Sequence, residues 1–271
     1  MNKWTEDKRM LEYGLMLPYS NIFCFSTTRH GGFGKGTYDS FNCTPYTGDD
    51  SETVLKNQAL LQSLLPSPNQ LVIPYQTHGT QIFLLDEKSM CASPAEREAC
   101  LREVDALITN LPGYCLCIST ADCVPVLLYD KAHQAIAAIH AGWRGTTARI
   151  VESVLQRMFA VFGTQGEDVV ACIGPSISLN AFETGEEVYR IFAEKGFPMT
   201  NIARRSLKTG KWHLDLWEAN RLQLLQFGVP ERQIEVSGIC TYTQSEDFFS
   251  ARKLGIHSGR ILSGIMIKGT V

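Results

Sequence analysis

Between residues 105 and 140 the chain carries four closely spaced apolar runs, DALIT, YCLCIST, VPVLLYD and QAIAAIH. They are too short and too β-branched for core helices, and their near-continuous hydrophobicity predicts central strands covered on both faces. IFCFSTT, residues 22–28, reads as an earlier strand, while VVACIGP, IEVSGIC and RILSGIMI read as later ones. LVIPY and QIFLLD flank QTHGT, which predicts two strands joined by a turn that holds His78.

Helical spacing appears elsewhere. Asp49 and Glu52 form a capping-box pattern ahead of a helix over 51–65. A second helix is expected over 147–162, with Ile150, Val151, Val154, Leu155 and Met158 on one face and Gly163 as its stop. Thr184 with Glu187 opens another that ends near Gly196, and Asp215 with Glu218 opens one closed by Gly228 and Pro230. Residues 87–103 read as a surface loop or short helix, and CTYTQSEDFFSARK as an exposed loop. The combined pattern predicts an α+β fold with α/β layering, mixed β-sheets flanked by helices in an α/β/β/α-like stack. No repeat or linker divides residues 1–271, so a single domain is expected, with roughly the first 20 residues peripheral.

Composition narrows the function classes. The 25 basic and 28 acidic residues are interspersed, so no cationic face awaits nucleic acid. The N-terminus has no secretion signal and no segment approaches the roughly 18 apolar residues of a membrane span. A cytoplasmic protein is therefore expected, a monomer or weak dimer. Its nine cysteines are then reduced thiols rather than a disulfide framework.

Three metal-ligand types lie just beyond strands or in tight turns: His78 in QTHGT, Cys123 in TADCVPV and His140 in IHAGWRGT. Two imidazoles and one thiolate match a catalytic zinc that keeps one position open. The spacing is not that of a local zinc motif, and a solitary histidine or cysteine is more often structural. What favours a site is the shared setting of glycine, aspartate and proline around all three. After His140, Gly142 and Gly145 permit close approach and Arg144 offers a cation for phosphate or carboxylate at a helix start. Arg29 in STTRHGG and Arg252 in FFSARK are further candidate cations, the latter after two aromatics able to stack on a planar ring. Cys115 and Cys117 alternate on one strand face as core. His30, His133, His213 and His257 have no comparable context.

The ordered set STTRHGG with FN, QTHGT, ADCVPVLLYD, IHAGWRGT, IGPSIS with FETGEEV, and CTY with FFSARK closely resembles the YfiH family, from about Phe25 to Ile267. Its members are called laccase-domain or polyphenol-oxidase-like proteins. The resemblance implies one α/β domain with two mixed sheets in layers and a zinc site of His78, Cys123 and His140. It implies phosphorolysis of adenosine, inosine, guanosine and methylthioadenosine, with adenosine deamination besides. Purine nucleosides and phosphate are thus the expected partners, with Arg29, Asn42, Arg144 and Arg252 as candidate binding residues and Asp122 as a candidate proton carrier.

Other readings stand beside this one. Cys123 with a histidine base would make an amide or peptide hydrolase, and one branch of the family is linked to editing of peptidoglycan precursors. Six histidines without an H-x-H pair speak against four-copper chemistry. A mononuclear copper polyphenol oxidase stays open, because copper outranks zinc in intrinsic affinity. A noncatalytic sensor of purines or metal is the remaining class.

Overall fold

The computed structural model describes residues 2–90 and 93–269, so part of the expected 87–103 loop lies outside the described residues. Two six-stranded sheets organise the chain. The first runs in the order Lys3–Trp4, Met10–Glu12, Ile22–Thr27, Ile261–Ile267, Tyr114–Thr120, Gln70–Val72. The second runs Ile234–Val236, Val169–Ile173, Val124–Asp130, Ala135–Ala141, Ala106–Thr109, Ile82–Leu85. Both are mixed, with parallel pairing at Gln70–Val72, Ile82–Leu85 and Ile234–Val236.

Strand alternation sends one face of each sheet into a shared core. Cys24, Leu116, Ile118 and Ile265 of the first sheet meet Leu127, Tyr129, Ile136 and Val170 of the second. The outer face of the second sheet packs Val126, Ala137 and Ile139 on helix Ile150–Phe162, through its Val151, Val154, Leu155 and Met158, and on helix Leu216–Gln226. The first sheet's outer face, Phe25, Cys115, Cys117 and Met266, is covered by Leu61 of helix Ser51–Leu64 and by Leu65. The stack is helix, sheet, sheet, helix, as the continuous apolar runs predict: VPVLLYD and AIAAIHA are buried at every position because both their faces are covered.

Several local expectations are corrected. The strands on either side of QTHGT are not a hairpin: Gln70–Val72 lies in the first sheet and Ile82–Leu85 in the second. The helix expected from 147 breaks at Arg149, whose φ of 58° is left-handed, leaving a five-residue helix Trp143–Thr147 ahead of Ile150–Phe162. Such a turn is too short to act as an anion-binding helix start. Asp50 rather than Asp49 caps the first long helix, accepting from Thr53 N at 2.8 Å. Thr184 sits in a short strand and Gly185 takes its place as the cap, whereas Asp215 caps its helix as expected. The first twenty residues add the two outermost strands on one side of the first sheet, and Leu11 and Tyr13 are fully buried. The expected exposed loop also turns inward, with Phe248 and Phe249 wholly buried and unavailable to stack on a ligand.

Candidate metal centre

Two crossings between the sheets and the end of one strand bring the three candidate ligands together. QTHGT crosses from the first sheet to the second, Ala121–Cys123 does the same between Tyr114–Thr120 and Val124–Asp130, and His140 stands near the end of Ala135–Ala141. The donor atoms of His78, Cys123 and His140 lie within 4.8 Å of one another, and the two rings meet edge to face at 4.8 Å.

Main-chain and side-chain bonds hold these turns. Gln76 clamps its loop to the sheet, donating to Ser119 O at 3.0 Å and accepting from Ser119 N at 2.8 Å. Asp105, fully buried and absent from the candidates read in the sequence, is the hub. Its carboxylate accepts from His78 N at 3.0 Å, Gly79 N at 2.7 Å and Thr77 N at 3.3 Å, and from His140 Nδ1 at 2.6 Å. Burial pushes Asp105 up, but the His140 ring and the Gly79 and Thr77 N–H groups outweigh it and hold the carboxyl below its usual range.

With Nδ1 engaged, His140 has Nε2 as its free donor, and a carboxylate behind a ligating imidazole is the common outer partner of zinc. Burial raises the Cys123 thiol, yet the charge and hydrogen bonds of His140 and His78 together bring it down to about 6. Burial likewise lowers His140, while the Cys123 thiolate and Asp105 raise it to about 9. A zinc ion with these donors would set them about 3.3–3.7 Å apart in a tetrahedral arrangement. The three donor atoms lie within 4.8 Å of one another, and His78 is the exposed member of the set.

A glycine makes room for the cluster. A Cβ on Gly142 would stand 3.1 Å from Cys123 Sγ and 3.2 Å from His78 Cδ2. Gly142→Ala is therefore expected to leave the melting temperature nearly unchanged while weakening divalent-ion binding about tenfold or more, since displaced ligands cost about 1–3 kcal/mol. Titration against a competing chelator reads this directly; unchanged affinity would mean that the ligands do not close around this space.

The cluster opens on a cavity of about 330 Å³ also lined by Thr44, Tyr46, Tyr75, Ser119, Thr120, Ile256 and Arg260. Tyr46 and Tyr75 meet edge to face at 5.1 Å and remain about half exposed, a ready aromatic wall. Burial pulls Arg260 below its usual range, against the raising influence of Cys123 and Asp122.

The other expected residues do not line this cavity. Asp122, at φ 89°, accepts from Thr241 Oγ1 and from Arg252 N, each at 2.7 Å, and so shapes the turn that presents Cys123. Arg29 donates to Asp39 O and Ser245 O over the Phe249 ring. Exposed Arg144 lies over Trp143 at 4.4 Å, and Arg252 lies over Phe182 and donates to Glu183 O. Asn42 is buried, its amide engaged by Thr47 and Asp49 and its oxygen by Arg260 N.

No described helix is long and apolar enough to cross a membrane. The chain is 62% identical over 264 residues to a protein named purine nucleoside phosphorylase from Bacteroides thetaiotaomicron, covering 97% of this chain and 98% of that one. It is 41% identical over 248 residues to a protein named adenosine deaminase RL5 from an unknown prokaryotic organism, covering 91% and 94%. The crystal structure of YlmD from Geobacillus stearothermophilus matches with a TM-score of 0.89 at 32% identity, covering 98% of each chain. A family model described as multi-copper polyphenol oxidoreductase laccase matches residues 23–268, and the chain belongs to this laccase-like YfiH family.

Proposed function

We propose that the chain is a single-domain, zinc-dependent purine nucleoside phosphorylase acting on adenosine, inosine, guanosine and methylthioadenosine, and that it also deaminates adenosine. The observation that carries this reading is the convergence of His78, Cys123 and His140 on a cavity with an aromatic wall and a cation. The names of the relatives at 62% and 41% identity support both reactions.

In phosphorolysis a phosphate oxygen bonds to ribose C1′ as the C1′–N9 bond breaks. The electron pair leaves on N9, which takes up a proton, giving ribose 1-phosphate and the free base. In deamination a water oxygen bonds to C6 and the exocyclic nitrogen departs as ammonia. A zinc ion bound at the cluster supplies Lewis acidity and a hydroxide source near neutral pH. Tyr46 and Tyr75 offer their faces and edges to the purine, and Asp105 orients His140 and the His78 loop. In a cavity lined by the candidate ligands, reacting groups that are held in place lose much of their association entropy on binding rather than in the reaction.

Chromatography of inosine and adenosine products tests this. Native protein should release hypoxanthine from inosine only with phosphate, and His78→Ala should lower turnover by more than about 100-fold, because the metal is asked to supply several kcal/mol. Equal turnover by native and variant protein would refute the reading.

One observation favours a second reading. Asp105, His140 and Cys123 form a relay of carboxylate, imidazole and depressed thiol, the arrangement of a cysteine hydrolase of amides or peptides. Zinc and nucleophilic roles compete for one sulfur. Copper on the same three donors would instead give a mononuclear oxidase; among the described residues His78, Cys123 and His140 form the one such cluster, too few donors for a multicopper array.

A further inference from the structure

The arginines that look like phosphate ligands in the sequence are engaged elsewhere, but the cavity does contain one cation. We infer that Arg260, with the hydroxyl of Thr120, forms the subsite for inorganic phosphate, an inference that rests on the phosphorylase reading above. Arg260 immediately precedes strand Ile261–Ile267, and Ile261 pairs with Thr120, so the two residues share one end of the first sheet and line the cavity beside the three ligands.

The guanidinium is held but not neutralised. Nη1 donates to Ser258 O at 2.6 Å and Gly259 O at 3.0 Å, and Nη2 donates to Ile256 O at 3.0 Å. All three acceptors are uncharged main-chain carbonyls, and Asp122 and Cys123 act on the guanidinium through their charge without a hydrogen bond to it. A guanidinium carries five N–H groups, so Nε–H and one Nη2–H stay open. Two open N–H donors on a charged group suit the oxygens of a phosphate.

The segment is also fixed from behind. Arg260 N donates to Asn42 Oδ1 at 3.1 Å, and Asn42 is itself anchored to Asp49 Oδ2 at 2.9 Å. Gly259 lies so close to the Phe249 ring that a Cβ there would come within 2.4 Å of its carbons. Asn42, expected to touch the ligand, is thus a positioning residue for the arginine that does.

The second donor is Thr120 Oγ1. Its residue is 1% exposed, and the hydroxyl has no hydrogen-bond partner. The neighbouring Ser119 Oγ is buried without a partner as well. Both residues line the cavity, and buried hydroxyls left unpaired are costly unless a ligand satisfies them.

The test compares native protein with Arg260→Gln and Arg260→Lys, each first shown to melt within a few degrees of native. In inosine phosphorolysis the KM for phosphate should rise at least about tenfold in Arg260→Gln, the cost of a charged hydrogen bond, with part of the loss recovered by lysine. Adenosine deamination, which consumes no phosphate, should lose far less. Calorimetric titration of inorganic phosphate into native and variant protein gives a readout that does not depend on turnover, and Arg260→Gln should bind at least about tenfold more weakly. If both reactions fall together at unchanged phosphate KM, Arg260 merely supports the fold and the inference fails. If native protein and Arg260→Gln bind phosphate equally, it fails whatever the activities are. Should native protein bind phosphate through Arg260 yet phosphorolyse no nucleoside, the subsite stands and the functional reading falls.

Discussion

Cys123→Ala protein is expected to lose divalent-ion affinity by more than about 100-fold, beyond the range found when only an outer partner of a ligand is removed, and to lose phosphorolysis with it. The reason is chemical rather than steric. Thiolate is the one anionic donor among the three candidate ligands, and it would neutralise half the charge of a divalent ion at a site where Cys123 and His140 are at least partly buried. The same substitution separates the two enzyme readings when joined to an alkylation experiment. After chelation, native protein should react at Cys123 with a midpoint near pH 6, because His140 and His78 hold the thiol far below its ordinary range. Above that midpoint the thiolate predominates, so alkylation is fast at neutral pH and slows as the pH falls through it. Metal-loaded protein should be protected. A metal-free protein that retains full activity and is killed by one alkylation at Cys123 would make the residue a nucleophile and end the metal reading.

Much of this centre is legible before any coordinates. The layers follow from strands apolar at every position, since a run such as AIAAIHA has no polar face to turn to water. His78, Cys123 and His140 stand out because each lies just beyond an apolar strand or in a tight turn, beside glycine, aspartate or proline. Asp105 is harder to see. It reads as the polar start of DALIT, and only its position directly against a wholly buried strand hints at internal partners. Arg260 is hidden for a different reason: a lone arginine before a strand has the same sequence signature whether it faces solvent or a cavity, and the carbonyls of Ile256, Ser258 and Gly259 that hold it come from a turn whose shape the residue types alone do not reveal. Arg29, Arg144 and Arg252 mislead in the opposite direction, because glycines and aromatics nearby suit a ligand site but equally suit packing of the guanidinium on rings. The break at Arg149 is not legible at all, as nothing local marks a left-handed arginine.

Asp105→Asn should lower metal affinity by about 10- to 100-fold while conserving the volume of the side chain, and the loss follows from counting donors. The carboxylate offers acceptors on both oxygens, one toward His140 Nδ1 and His78 N, the other toward Gly79 N and Thr77 N. An amide has an acceptor on one side alone. With its oxygen toward His140, its NH2 confronts two main-chain N–H groups and pushes the QTHGT loop, with His78, out of place. With its NH2 toward His140, the imidazole must accept at Nδ1 and carry its proton on Nε2, where the metal would bind. Either orientation disables one of the two histidines. Asp105→Ala removes every acceptor at once and should in addition cost about 3 kcal/mol or more of stability, as buried donors are left unpaired. Metal competition on Asp105→Asn, together with the nitrogen chemical shifts of His140 that report its tautomer, decides the matter. Affinity within twofold of native with the proton still on Nδ1 would show that the carboxylate does not set the tautomer on which ligation by His140 depends.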